Sequence, residues 1–387
     1  MGIDQLDRTD AGLPTAPRSW LRHRWAALGA GAAVTALGAV SAAVALAWGG
    51  AAPVTRPALA HRPVLAPAPA PAAVPAPPPT TTSTTLVPPP TNLVLTGCPP
   101  PPQPPKPVVP PWHPAVLVPD SALPAALPPP PRRASLAPVA GKGMWIWQFS
   151  STDGGDATAV VDAAVRAGLH QLWVRVGDSQ NGFYGSSVLD RLVPLAHARG
   201  LAVIGWGFPY LYDPAGDAAW TVQALSWSSG GARLDGFSAD LETSSEGVDM
   251  TAQRASVYLS LVRRARPAAL LVGTVFPPTD QEWATYPYRA IAPYVDALAP
   301  MVYWGCYQPV LAAQQAFTRL GPLAPLHLIG QAYSMADVGG RTSAPSPAEI
   351  SAFLQSARLG GALGASFWSW QSIDSDEWAA MAGFGWS

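Results

Sequence analysis

The sequence predicts an α/β protein whose folded domain is a (β/α)8 barrel of the TIM type, preceded by one transmembrane helix and a disordered, proline-rich linker. Three observations lead to this prediction. Residues 26–52 form an apolar run without a charged residue, most of the 46 prolines fall between residues 53 and 140, and from residue 141 short apolar runs alternate with helix-like segments. The block 141–387 has about the size that one barrel needs.

The apolar run at residues 26–52 is long enough to cross a bilayer as a helix, at about 1.5 Å per residue. Arg18, Arg22 and Arg24 precede it, and the positive-inside tendency makes residues 1–25 a cytoplasmic tail. We therefore expect a single-pass protein of the cell membrane with an extracellular barrel. A cleaved signal sequence is the alternative, and the protein would then be secreted. The barrel is exported in either case.

Residues 53–140, rich in proline, alanine and threonine, are predicted to be a disordered linker. Runs such as Pro77–Pro79 and Pro99–Pro102 cannot continue a helix or a central strand, because proline fixes φ and lacks a backbone donor. Such a segment favours extended chain and acts as a spacer. The two cysteines of the chain, Cys98 and Cys306, either form a disulfide with each other or are two unpaired or intermolecular thiols.

Eight apolar runs in the block 141–387 are predicted to be strands, with amphipathic helices between them. The helix signals are local: Gly168 and Gly200 stand at helix C-termini, and Ser346 followed by Pro347 marks a helix start. An open, doubly wound sheet is the alternative arrangement. The predicted strands are 144–149, 171–176, 202–208, 234–242, 270–276, 297–304, 326–333 and 363–370.

Composition and residue placement exclude several classes of function. With 12% charged residues and a formal net charge of -1, no global field favours nucleic acid as a partner. His170, His197 and His327 fall at strand starts or inside a helix, away from the strand ends where barrels carry their chemistry. A histidine-ligated metal or a Ser-His-Asp triad is therefore not expected, and Lys142 stands too early in the block for a Schiff base. No metal and no cofactor is predicted.

Aromatic and amide side chains follow nearly every predicted strand. Aromatic faces beside amides and charged groups suit sugar rings, whose C–H faces are apolar and whose rims carry hydroxyls. Packing in the core is the alternative for any single tryptophan. The predicted partner is a polysaccharide or oligosaccharide, and the predicted sugar-contacting residues are Trp147, Gln148, Arg175, Trp206, Tyr210, Trp304, Gln331, Tyr333, Trp368, Trp370 and Gln371.

The predicted strand 234–242 carries two acids at its end, Asp240 and Glu242. Alternation along a strand puts them on one face, about 6.6 Å apart. Two acids this close do not ionise independently, which favours keeping one of them protonated, as a general acid at neutral pH requires. A purely structural carboxylate, held by Arg175 or by a tyrosine hydroxyl, is the alternative.

The segment 235–242, Asp-Gly-Phe-Ser-Ala-Asp-Leu-Glu, resembles the signature strand of glycoside hydrolase family 18, the chitinase group. Met301-Val302-Tyr303 is similar to that family's sixth strand, and the segment 364–369 is similar to its eighth. The resemblance implies that Glu242 is the general acid and that Asp240 orients the substrate's own N-acetyl group. It also implies that Tyr303 hydrogen-bonds this group and that Trp368 lies under the cleaved sugar. Such enzymes need no protein nucleophile.

Two positions depart from the family pattern: Ser238 stands where its second aspartate would be, and Trp304 stands where an acid is usual. The lysozyme-like family 25, which also carries an Asp-x-Glu on a strand, is the second choice of relative. It uses an acid on the first strand, and the segment 144–147 has none. The chain therefore resembles a divergent member of this group of barrels.

The sequence thus predicts a membrane-anchored, exported protein of the glycoside hydrolase type. Its substrate is expected to be a cell-envelope or extracellular polysaccharide with N-acetylhexosamine units, and Glu242 is expected to be the general acid. A non-catalytic glycan-binding protein of the cell envelope, which keeps the aromatic groove without turnover, is the first alternative. A purely structural envelope protein is the second.

Overall fold

The computed structural model describes residues 117–131, 134–335 and 341–386. The predicted cytoplasmic tail, the predicted anchor and the predicted linker up to residue 116 lie outside this part of the chain. Within it, no helix combines the length and the apolar character that crossing a membrane requires.

In the described part of the chain, eight parallel strands form the main sheet, and each of them overlaps one of the predicted strands. A two-residue strand, Gly182–Phe183, pairs antiparallel with the end of the second. The eight strands are β1 (Gly141–Ile146), β2 (Gln171–Asp178), β3 (Ala202–Phe208), β4 (Gly236–Asp240), β5 (Leu271–Val275), β6 (Ala297–Pro300), β7 (His327–Gln331) and β8 (Gly364–Trp368).

The sheet returns on itself to form a barrel. Neighbouring strands follow the chain order from β1 to β6, while β8 lies between β7 and β1. Isolated parallel bridges between Leu298 and Leu326 and between Met301 and Ile329 join β6 to β7. The (β/α)8 prediction is confirmed, and the open, doubly wound alternative is wrong.

Helices connect the strands, and their ends follow the signals seen in the sequence. Gly168 and Gly200 adopt positive φ, +62° and +74°, directly after the helix ends, as glycine can without a Cβ penalty. Ser346 and Glu349 form a reciprocal capping box. The helices are α1 (Ala157–Arg166), α2 (Ser186–Ala198), α3 (Pro214–Ser226), α4 (Ala252–Ala265), α5 (Asp280–Thr285), α6 (Tyr288–Ile291), α7 (Pro309–Leu320), α8 (Pro347–Leu359) and α9 (Ser375–Gly383).

Four indoles fill the interior of the barrel. Trp145 on β1 stacks on Trp173 of β2 with ring centroids 4.7 Å apart, and Trp206 meets Trp368 edge to face at 5.5 Å. Below them His327 contacts the hydroxyl of Ser366 and the carbonyl of Val139. Burial lowers the pKa of this histidine to about 4, so that it is neutral at pH 7. A filled interior leaves only the mouth, where the strands end, for chemistry.

The segment 118–127, which we term the strap, lies on the outside of the barrel and falls within the stretch predicted as linker. The amide of Val118 donates to the carbonyl of Tyr212 over 3.1 Å. At the other end, the hydroxyl of Tyr294 donates to the carbonyl of Leu127 over 2.9 Å. The strap therefore binds the barrel through its backbone, which proline-rich sequence leaves free to accept hydrogen bonds.

One buried arginine connects the strap to two loops at the mouth. Arg254 on α4, 3% exposed, donates to the carbonyls of Leu211 (2.9 Å) and Val118 (2.7 Å). It also forms ion pairs with Asp120 of the strap (2.8 Å) and with Asp249 (3.1 Å). Arginine suits this position because its planar group carries five donors in a fixed geometry.

We predict that Arg254→Ala destabilises the full-length chain by about 2–4 kcal/mol, since several carbonyls and two carboxylates lose their partner. The matched control is Arg264→Ala on the same helix, because Arg264 is exposed and its loss should change stability by less than about 0.5 kcal/mol. Urea unfolding followed by tryptophan fluorescence measures both variants. Equal unfolding midpoints for the two variants would contradict the role given to Arg254.

Candidate active site

The two acids lie at the open end of β4. Asp240 is the last residue of the strand and pairs in register with Thr274 of β5. The next amide, that of Leu241, donates to the carbonyl of Thr274 over 3.0 Å, so the strand pairing extends one residue further. The side chains of Asp240 and Glu242 are both fully buried. The structure therefore brings two carboxyl groups together at the end of one strand.

Three tyrosines surround these acids. Tyr303 after β6 and Tyr333 after β7 meet edge to face, with ring centroids 5.6 Å apart. Tyr286, from the turn between α5 and α6, donates its hydroxyl proton to the carbonyl of Leu241 over 2.5 Å. This hydrogen bond holds the peptide that joins the two acids.

The tyrosine hydroxyls keep their protons. Burial raises the pKa of Tyr303 well above its ordinary value, and the neighbouring Tyr333 and the charges of Asp240 and Glu242 raise it further. Burial, with Glu242 as the first electrostatic contributor, likewise raises the pKa of Tyr333. Burial also raises the pKa of Tyr286, and the neighbouring Tyr288 and the charges of the same two acids raise it further. The three hydroxyls are therefore hydrogen-bond donors at any physiological pH.

Ser238 lies one alternation below Asp240 on the same strand. It is fully buried, and its hydroxyl is 2.8 Å from that of Thr274. A neutral hydroxyl pair thus occupies the place where the family 18 pattern has an aspartate. The carboxylate cluster at the end of β4 is accordingly smaller by one charge than in that pattern.

Arg175 and Asp178, at the end of β2, form an ion pair over 3.4 Å. Asp178 also accepts from the backbone amide of Asn181 over 2.7 Å, and the guanidinium of Arg175 lies 5.6 Å from the ring centroid of Trp206. Asp178 therefore stabilises the loop that follows β2.

Two predicted sugar contacts, Gln331 and Gln371, use their amide groups to brace loops. Gln331 accepts from the amide of Gly305 (2.9 Å) and donates to the carbonyl of Tyr333 (2.7 Å), which joins the loops after β6 and β7. Gln371 accepts from the amide of Trp147 (3.3 Å) and donates to the carbonyl of Gln148 (2.9 Å). Their role in the structure is to fix the loops around the acids.

Most of the predicted aromatic contacts are buried. Trp206 and Trp368 belong to the interior indoles, Trp304 packs on Phe353 at 5.2 Å, and Trp370 packs on Trp378 at 5.0 Å. Tyr210 stacks beside Tyr212, while Trp147 and Tyr303 are half-buried and Gln148 is exposed. Contact of these residues with sugar stays a prediction. Trp147 and Tyr303 are the aromatic side chains of the set that keep an accessible face.

Two residues near the mouth were missed from the sequence, Tyr286 and Asp217. Asp217 on α3 accepts from the hydroxyl of Ser179 (2.5 Å) and the amide of Leu211 (2.9 Å), and Ser179 in turn accepts from the amide of Tyr210. Burial raises the pKa of Asp217 to about 6. Asp217 thus fixes the loop after β3. No sequence pattern pointed to it, whereas the run of aromatics at 283–288 was a signal for Tyr286.

Cys306, three residues after Tyr303, is disulfide-bonded. The sequence holds one other cysteine, Cys98, which lies outside the described residues. The alternative of two unpaired thiols is therefore wrong for Cys306.

The chemistry available at the mouth is proton transfer and hydrogen bonding. Two buried carboxyl groups lie near three protonated tyrosines, one of which, Tyr286, already donates its hydroxyl proton to the Leu241 carbonyl. Carboxyl groups in such a place can protonate a leaving oxygen. In the described part of the chain, no group of three or more His, Cys, Asp or Glu side chains could hold a metal ion.

No protein-family model matches the sequence, and no curated protein matches it. The solved structures to which the chain is similar include a chitinase from Chromobacterium violaceum (12% identity, 62% of this chain and 98% of that chain, TM-score 0.48). They also include a family GH18 chitinase from Cycas revoluta (12% identity, 63% of this chain and 99% of that chain, TM-score 0.46). A third is a chitinase-like agglutinin from Robinia pseudoacacia (14% identity, 62% of this chain and 98% of that chain, TM-score 0.43).

Proposed function

We propose that this protein is a glycoside hydrolase that cleaves a cell-envelope or extracellular polysaccharide containing N-acetylhexosamine units. The observation that carries the proposal is the pair of fully buried acids, Asp240 and Glu242, whose charges raise the pKa values of nearby tyrosines at the mouth of the barrel. Burying two acids together costs free energy. Sites that keep such a pair at the mouth of a barrel are typical of catalysis.

Glu242 is the proposed general acid. It lies beyond the last residue of β4, nearer to the open end than Asp240. Its carboxyl group would donate a proton to the glycosidic oxygen as the bond from that oxygen to the sugar's C1 breaks. The remaining carboxylate would then take a proton from the water that attacks C1. The hydrogen bond from Tyr286 to Leu241 supports this role by fixing the backbone next to Glu242.

Asp240 and Tyr303 are proposed to hold the substrate's N-acetyl group. The acetamido oxygen would attack C1 in place of a protein nucleophile, Asp240 would stabilise the acetamido nitrogen, and the hydroxyl of Tyr303 would hydrogen-bond the oxygen. Both residues are supported by their position: Asp240 ends β4, and its charge helps to raise the pKa of Tyr303, which follows β6.

A second candidate function, sugar binding without turnover, is favoured by one observation. Ser238 and Thr274 form a neutral hydroxyl pair below Asp240, so no third acid is available there to share charge with it. A protein of this kind would keep the glycan-binding mouth and lack catalysis. The two candidate functions differ in the effect they predict for Glu242→Gln, which removes the transferable proton: a hydrolase would lose turnover, whereas a binding protein would be unchanged.

We predict that Glu242→Gln in the full-length chain lowers turnover of an N-acetylated oligosaccharide by about 10²–10⁴-fold while binding persists, because the amide keeps shape and polarity but has no transferable proton. Asp240→Asn should reduce turnover selectively on N-acetylated substrates. Glu246→Gln is the matched control, since Glu246 is also a buried acid near Tyr333.

The readouts are release of reducing ends for turnover and fluorescence titration for binding. Activity that persists in Glu242→Gln and is lost in Glu246→Gln would assign the acid to Glu246 and contradict the proposal. A parent chain that binds sugars without cleaving them, and is unchanged by Glu242→Gln, would favour the binding protein.

We further propose that the barrel is displayed outside the cell and attached through residues 26–52. The uncharged run and the three preceding arginines support this topology. Protease added to intact cells should release a soluble fragment of barrel size by cutting within residues 53–116. A barrel that stays protected, or that fractionates with the cytosol, would contradict the topology.

A further inference from the structure

A groove of about 280 Å³ lies on the barrel next to the turn between α5 and α6. Ala252, Trp283, Tyr286, Tyr288 and Arg289 line it, together with two small neighbours in the same turn. Its volume suits a single sugar ring better than a larger ligand.

Tyr286 connects this groove to the acids. Its ring forms part of the groove wall and packs on Tyr288 with centroids 4.6 Å apart. Its hydroxyl points the other way and donates to the carbonyl of Leu241, the residue before Glu242. The groove is therefore separated from the proposed catalytic site by the thickness of one side chain.

Arg289 gives the groove a positive charge, and its guanidinium N–H groups are available for hydrogen bonds to a ligand. It is exposed, its guanidinium lies 5.5 Å from the ring centroid of Trp283, and within the described residues it forms no ion pair. Arg319 also lies over Trp283, at 5.9 Å, but its donors are bound by Pro278 and Asp280. An arginine stacked on an indole still presents its N–H groups along the edge of the guanidinium, ready for a carboxylate.

Within the described residues, the acids near the groove are paired with other arginines or partly buried. Asp280 is paired with Arg319, and Asp120 and Asp249 are both paired with Arg254. Glu282 is partly buried, and burial raises the pKa of its carboxyl. Of the residues that line the groove, Arg289 is the charged one.

We propose that this groove binds a carboxylate-bearing sugar unit of the glycan and that Arg289 selects for the carboxylate. The inference rests on the proposed function, because the unit in the groove belongs to the chain whose neighbouring unit meets Glu242. It extends that function by making the preferred substrate an acidic glycan, in which N-acetylhexosamine units alternate with, or themselves are, carboxylated sugars.

The test compares three tetrasaccharides that all contain N-acetylhexosamine. Chitotetraose is neutral, a bacterial wall tetrasaccharide carries lactyl carboxylates, and a hyaluronan tetrasaccharide carries uronate carboxylates. Titration calorimetry with the full-length chain gives the dissociation constants, and the Glu242→Gln substitution is present throughout to prevent cleavage. The last two probes distinguish the two sources of the carboxylate.

We predict that at least one of the carboxylated probes binds about 10-fold more tightly than chitotetraose, the factor expected for one charge-assisted hydrogen-bond pair at a partly exposed site. Arg289→Gln should remove this preference, so that the variant binds the carboxylated probes no more tightly than chitotetraose. Arg289→Lys should retain part of it, because the charge remains and the planar fork is lost. Added salt should reduce it.

Arg264→Gln, an exposed arginine elsewhere on the barrel, is the matched control and should change nothing. A preference that survives Arg289→Gln, or equal affinity of the parent for all three probes, would overturn the inference while leaving the proposed function intact. Failure of all three tetrasaccharides to bind would instead contradict the proposed function, and the inference with it.

Discussion

The burial of two acids at the end of β4 is the constraint around which the mouth of this barrel is organised. Asp240 and Glu242 are fully buried, and removing carboxyl groups from water costs several kcal/mol unless polar neighbours compensate. Tyrosines from three separate loops lie near the acids. A hydrogen bond from Tyr286 to the carbonyl of Leu241 holds one of these loops, and the amide of Gln331 joins the other two, which follow β6 and β7.

The interior of the barrel explains why the chemistry is confined to the mouth. Its space is taken by stacked and edge-to-face indoles, with a neutral His327 beneath them. Side chains such as Trp206 and Trp368 therefore support the site from below. A groove lined by Tyr286 and Arg289 lies outside this filled interior.

The fold could be predicted closely because its signals are local. Short apolar runs, glycines at helix ends and the capping serine at residue 346 each act within a few residues, and the acids at 240 and 242 follow from alternation along one strand. The contacts by which Gln331 and Gln371 hold loops could not be predicted. The sequence does not distinguish a glutamine that contacts sugar from one that hydrogen-bonds to the backbone. The strap was missed for a similar reason: proline-rich composition indicates extended chain, and its attachment depends on Arg254, more than a hundred residues away.

The central claim is that the acids of β4 cleave a glycosidic bond, and isotope incorporation tests it most directly. The full-length chain is incubated with an N-acetylated tetrasaccharide in H₂¹⁸O, and the products are followed by mass spectrometry against a sample without protein. The account predicts shorter oligosaccharides in which each new reducing end carries one ¹⁸O atom from the attacking water. A tetrasaccharide that binds the protein and is recovered intact would contradict it.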